Sequence, residues 1–211
     1  AILVLLTMLL AGCQSGVETV SDNTTSPRPS PVETTHVEVD PVVGQPLTDD
    51  TPFGSPPQWV FQAQGGWSID RMDGATSQMT QSGTGCRLTL QARKTSNDGR
   101  SDDVASRAEL KSVIADIKDQ FHDVQVRDTG SLVLRTLPTS KDPNTGIEFV
   151  RARSDYAHAT EPRDWSVVIG VRAFVVDEVI LVTAYSCPRD QLQSPARVDA
   201  LLAKTARINS D

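Results

Sequence analysis

The chain has 211 residues, 38% of them apolar and 22% charged, with a formal charge of −7. A pI near 4.9 without a basic block argues against a nucleic-acid-binding protein. One apolar run of only about ten residues argues against a polytopic membrane protein, and three cysteines argue against a disulfide-dense miniprotein.

Residues 1–12 open with Ala1–Ala11, apolar except for Thr7. That run is too short to cross about 30 Å of hydrocarbon at 1.5 Å per residue, and it has the length of a signal-peptide h-region. Its positively charged n-region is taken to be missing from the sequence. The run ends in Leu10-Ala11-Gly12-Cys13, which resembles the bacterial lipobox. The resemblance implies lipidation of the Cys13 thiol, cleavage before it and acylation of the new amino terminus. One acyl chain holds a protein marginally, whereas two or more anchor it stably. The expected location is the extracytoplasmic face of the cell membrane. The plainer alternative is an ordinary signal peptide followed by an incidental cysteine.

Residues 13–58 read as a lipidated cysteine and an acidic Thr/Pro-rich tether. Residues 14–58 hold eight of the 13 prolines, 12 Ser or Thr, and seven acids against the single base Arg28. Such a composition cannot bury enough apolar surface to offset its ordering entropy. A flexible chain of this length reaches roughly 35–40 Å. The acidity of the protein therefore lies mostly in the tether and says little about the ligand of the domain. Asn23-Thr24-Thr25 matches a glycosylation sequon, and the Thr/Pro stretch has the composition of an O-glycosylated one; a plain spacer is the simpler reading.

Residues 59–211 read as one globular domain. Cys86–Ala92 alternates as a strand. Ser101 is an N-cap for a helix over 102–121, with Asp102 and Asp103 in the first turn. Its core-facing positions are read as Val104, Arg107/Ala108, Leu110, Val113, Ile114, Ile117 and Phe121. Val124–Arg127 and Ser131–Leu137 read as a hairpin turned by Asp128-Thr129-Gly130, and 141–146 as a loop. Gly146–Tyr156 reads as a strand with one side facing water. Trp165–Val176 and Val179–Tyr185, joined at Asp177-Glu178, are almost continuously apolar, so both faces of their sheet must be covered. A second helix starts at Ser194-Pro195, buries Val198, Leu201, Leu202 and Ala206, and carries Lys204 and Arg207 in its last turn. The fold class that follows is α+β: an α/β/α sandwich with a largely antiparallel sheet and helices packed on both faces.

Cys86 begins one strand and Cys187 ends another, in a compartment that is oxidising if the signal-peptide reading holds. A bridge would close a loop of about 100 residues, worth about 4–5 kcal/mol in the chain-entropy model. Separate thiols or a redox pair are the alternatives, although the spacing is not Cys-x-x-Cys.

Trp67, Cys86, the helix at 102–121, the paired apolar strands at 165–185 and Tyr185-Ser186-Cys187-Pro188 give a further resemblance. Together with the lipobox and tether, residues 59–211 resemble the actinobacterial LpqN/LpqT-type lipoproteins, whose domain is PsbP-like. The resemblance implies a non-enzymatic sandwich that acts by binding partner proteins, in proteins linked to cell-envelope biogenesis. It carries over no catalytic residue.

Reaction chemistry is thin. Asp128-Thr129-Gly130-Ser131 matches an aspartic-protease triplet, but a second such triplet is missing and Arg127 is a poor flank. The acids around Asn97–Asp103 lack EF-hand spacing. His122 and His158 have no metal-ligand neighbours in sequence, and no Gly-x-Ser-x-Gly supports a hydrolase. Arg87, Arg93, Lys94, Arg151, Arg153, Arg163 and Arg172 lie on or near strands and read as a solvated face, or as one that meets anionic partners. The expectation is a membrane-anchored lipoprotein acting as a protein-interaction module of the cell envelope. The alternative is a carrier or sensor of an apolar envelope lipid, and a hydrolase stands third. No cofactor, metal or nucleic acid is expected; the partners are the membrane through Cys13 and an envelope protein.

Overall fold

The structure is a computed structural model that describes residues 44–52, 55–62, 64–137, 145–157 and 163–209. In chain order the strands before the first helix are β1 (Gly44–Gln45), β2 (Gln58–Phe61), β3 (Trp67–Met72), β4 (Thr76–Gln81) and β5 (Arg87–Lys94). Helix α1 (Asp102–Gln120) follows, then β6 (His122–Thr136), β7 (Gly146–Ala157), β8 (Asp164–Phe174) and β9 (Val179–Pro188). Helix α2 (Pro195–Thr205) and β10 (Ala206–Asn209) complete the described chain. The strands form one curled sheet in the order β2-β10-β6-β7-β8-β9-β5-β4-β3, with β1 paired to β7 beside this path. Among the described strands only β10–β6 and β1–β7 are parallel pairs.

The sheet has a core on each face, as the two apolar strands require. On one face α2 contributes Val198 and Leu202 to a cluster with Leu88, Leu132, Phe149 and Tyr185. Trp59 stacks on Phe149 there, and Phe61 meets Trp67 edge-on as the sheet curls. On the other face α1 contributes Ala105, Leu110, Val113 and Ile117 against Val150, Ile169, Val171 and Val182. Side chains of this kind contribute about 1.5–3 kcal/mol each when fully buried. The helices thus cover opposite faces of the sheet, and the fold is the expected α+β sandwich.

Several elements differ from the sequence reading. The hairpin expected at 124–137 is one strand. Gly130 does not adopt a left-handed conformation, so no tight turn forms. Pairing with β7 instead runs through it, Asp128 to Arg153 and Gly130 to Arg151, and two irregularities absorb the extra residues. Strand β7 has no water-facing side: Phe149 is buried toward one helix, and Val150 and Ala152 toward the other. Helix α2 ends at Thr205, and Arg207 lies in β10, because Ala206 and Ile208 alternate inward as a strand between β2 and β6. Ser194 makes no side-chain cap, although Pro195 holds the first helical position as expected. Strand β4 has Met79 as its one apolar residue and β3 alternates only over Trp67–Asp70, so neither reads as a strand from pattern alone.

Helix α1 is capped by Ser101, whose Oγ accepts from the Val104 N–H at 3.4 Å. Its buried face is rotated from the expected one. Val104 is half exposed and Arg107 points to solvent, while Asp102 and Ser106 turn inward. The cause lies at the end of β8. Pairing of β8 with β7 stops at Val171. The Ala173 and Val175 N–H groups beyond it donate to Ser106 Oγ and Asp102 Oδ1, both at 2.8 Å. Helix side chains thus complete a strand edge that β7 leaves bare.

The packed chain also begins before Trp59. Gln45, at the end of β1, lies opposite Ile147. Leu47 is buried, and its N–H donates to Glu148. Part of the expected tether therefore belongs to the fold.

Candidate functional site

Arg172 is the largest fully buried side chain, wholly removed from solvent. Its guanidinium donates to Asp102 Oδ2 at 3.1 Å, to the Asp49 carbonyl at 2.8 Å and to the Pro46 carbonyl at 3.1 Å. Asp50 closes the ring by accepting from the Asp102 N–H at 2.8 Å. Burial pushes the Asp102 carboxyl above its ordinary pKa, while the Val175 N–H and Arg172 pull it back. Burial likewise lowers the Arg172 pKa against the surrounding acids. The network ties residues 46–50, the start of α1 and the end of β8 into one unit. Both terminal nitrogens of Arg172 are engaged, while its buried Nε has no hydrogen-bond partner among the described residues.

Two further groups of charged side chains are mutually engaged. Arg151 holds Asp128 on one side and Asp199 of α2 on the other. The Asp199 carboxyl is raised by burial against the pull of Arg151, and the Asp128 charge raises it further. A guanidinium between two carboxylates is the opposite of a protease dyad, in which two carboxylates share a proton. Asp155 accepts from Ser166 Oγ at 2.5 Å and from Arg127 at 3.1 Å, with Arg153 and Arg189 nearby. Burial alone would raise its pKa, but these partners hold it below the usual carboxylate value.

Other sequence candidates are dispersed. Asp98, Asp103 and Asp102 each pair with an arginine of their own, Arg100, Arg107 and Arg172. No group of three potential metal ligands occurs among the described residues. His122 stands exposed opposite Ala157, and His158 lies outside the described residues. The basic residues expected to share a face do not share one role. Arg93 pairs with Glu109, Arg87 lies over the Trp165 ring, and Arg172 is in the core. Cys86 and Cys187 are brought to disulfide distance with Cα atoms 4.2 Å apart, one step beyond the register pair Arg87 and Ser186. Cys13 lies outside the described residues.

A groove of about 560 Å³ lies between α1 and β6. Leu47, Leu110, Ile114 and Val150 give it apolar walls, with Arg107 and Lys111 on the helix side and Thr129 and Ser131 on the strand side. A smaller groove of about 330 Å³ lies between α2 and Trp67. The first groove is not legible from an apolar pattern that counts Arg107 among the core-facing positions of α1. The 3.6-residue spacing of Arg107, Lys111 and Ile114 was the available signal.

The class defined by this geometry is an α+β sandwich on a curled mixed sheet, with Asp102, Asp128, Asp155 and Asp199 each held by an arginine. No protein-family model matches the chain, and no curated protein matches it. Among solved structures it is similar to LpqN of Mycobacterium tuberculosis, described as involved in cell envelope biogenesis. The identity is 10% over 73% of this chain and 84% of that one, with a TM-score of 0.47. It is also similar to the Ran-binding protein Mog1p of Saccharomyces cerevisiae, at 7% identity over 70% and 79% of the two chains and a TM-score of 0.40. Similarity at that level carries no argument about family, partner or activity.

Proposed function

We propose that this chain is a lipid-anchored protein of a bacterial cell envelope whose domain acts by binding another envelope component rather than by catalysis. The observation that carries the reading is the order of its parts. Leu10-Ala11-Gly12-Cys13 closes an apolar run, a Pro/Thr-rich acidic stretch follows, and a packed domain that includes Gly44 comes after it. The engagement of Asp102, Asp128, Asp155 and Asp199 with arginines supports a binding role, since a general acid or base must be able to exchange its proton with substrate.

The test is metabolic labelling with an alkyne-tagged fatty acid, combined with cross-linking in cells. The full chain is expected to carry the label, to fractionate with membranes and to cross-link to an envelope protein. Cys13→Ala is expected to lose the label and leave the membrane fraction. An unlabelled wild-type chain, or a label retained by Cys13→Ala, overturns the anchor. The α1–β6 groove favours a second reading, a carrier of an apolar envelope molecule. Native mass spectrometry of protein from its host would then show a bound small molecule.

A further inference from the structure

The groove beside α1 continues into a longer cationic track. Arg107, Lys111, Ile114 and Lys118 recur at i, i+4, i+7 and i+11 and so form one stripe of the helix. The first three line the groove opposite Thr129 and Ser131. Val133 and Arg135 follow Ser131 on the same face of β6, and Val126 reaches that face from the other end through its pairing with Ser154. Both valines are exposed, Val126 by 40% and Val133 by 39%.

At the far end Arg135 lies directly beside Arg207 in the parallel register of β6 and β10. Like charges placed side by side across strands disfavour one another. An anion seated over Arg135 relieves that repulsion. Among the described residues no ion pair involves Lys111, Lys118 or Arg135, whereas Arg107 is paired with Asp103. Glu148, the acid lining the groove, is engaged by the Leu47 N–H at 3.0 Å. A chain with a net charge of −7 thus carries a basic track along one helix and one strand.

We propose that this track binds an extended acidic segment of a partner polypeptide. The inference rests on the binding role above and names the chemistry of the partner. Charge complementarity selects an acidic occupant. The recess between helix and strand selects an extended chain over a flat bilayer. From Val126 to Arg135 the strand spans about 30 Å at 3.3 Å per residue, room for about nine residues of extended chain. Alternate side chains of such a segment would meet the valines and the cations in turn.

The test is fluorescence anisotropy of the purified full chain with a labelled peptide alternating Glu and Val. Saturable binding is expected, weakening as salt rises from about 50 to about 500 mM. Lys111→Glu combined with Lys118→Glu should weaken it by about tenfold or more. Both side chains are exposed, so the variant is expected to melt like the parent. Lys94→Glu, an exposed charge reversal on β5, should leave binding unchanged, and a Lys/Val peptide should not bind. Equal affinity in the double variant, equal loss in Lys94→Glu, or binding to anionic vesicles in place of the peptide overturns the proposal. So does binding that emerges only after residues 14–43 are removed, which would assign the track to the chain's own acidic stretch. A partner cross-linked in cells and held equally by the double variant refutes the track alone and leaves the binding role standing.

Discussion

Replacing Arg172 by Met removes the cation from a core that keeps the Asp102 carboxylate. Arg172 has no exposed surface and Asp102 is 3% exposed, so water cannot take over the lost contacts. Breaking one side of a buried pair costs about 3–5 kcal/mol. The Pro46 and Asp49 carbonyls lose their donor as well. Against a total stability of about 5–15 kcal/mol, that loss takes a large share. At about 2–4 °C per kcal/mol it lowers Tm by roughly 6–20 °C. The deficit depends on pH. Burial raises the folded-state pKa of Asp102 above its unfolded value, against the pull of the Val175 N–H and Arg172. A carboxyl raised in this way holds its proton more tightly in the folded state, so stability falls as pH rises through that pKa and is regained below it. Loss of Arg172 raises the pKa further, so the deficit should be largest at neutral pH and shrink toward about pH 4. Urea melts of both proteins at the two pH values measure it, and limited proteolysis should show new cleavage between Gln45 and Thr51 in the variant. A loss under about 1 kcal/mol at neutral pH, or an equal deficit at both pH values, would refute the assignment of this pair as the anchor of residues 46–50.

Two further predictions concern the sheet. The Cys86–Cys187 bridge should make the oxidised protein about 2 Da lighter than the reduced one by intact mass, and replacing both cysteines by Ala should cost up to about 4–5 kcal/mol in denaturant melts. Two free thiols in freshly purified protein would remove the bridge. Gly170→Ala should cost about 1–3 kcal/mol through overpacking, because an added Cβ would meet Thr183 Cγ2 at 2.8 Å and Leu132 Cδ2 at 3.1 Å. A melt unchanged by this substitution would mean that β8 and β9 can separate at that point without loss.

Where the sequence was legible, one signal dominated. The unbroken apolar runs of β8 and β9 required cover on both faces, and α1 and α2 supply it. Ser101 with its two following acids located the start of α1 to the residue. The errors arose where a tertiary contact outweighed a local preference. Asp128-Thr129-Gly130 has turn chemistry, but Arg151 holds Asp128 across the β6–β7 pair and the strand continues. Val104 looked like core, yet the inward pull on Asp102 and Ser106 sets the helix phase. No local pattern announces that a buried arginine will recruit the carbonyls of Pro46 and Asp49 from more than a hundred residues away. The basic track was illegible for a related reason: Arg135 and Arg207 are far apart in sequence and meet only through a parallel pairing.

The curl of the sheet also bears on self-association. An open sheet has two rows of unpaired backbone groups that can template another chain. Here the β2 end folds back over β5, where the Trp59 indole donates to the Gln91 carbonyl at 2.9 Å. That margin is held close to the body of the sheet rather than left projecting. The other margin is β3, with Ile69 and Met72 more than half exposed. Its pairing is interrupted between Ile69 and Arg71, and Asp70 and Arg71 place charge at the interruption. A break in register beside charged side chains is how natural sheets discourage a further strand. Among the described residues, the sheet margin open to a further strand is thereby reduced to the six residues of β3, where the ladder is already broken.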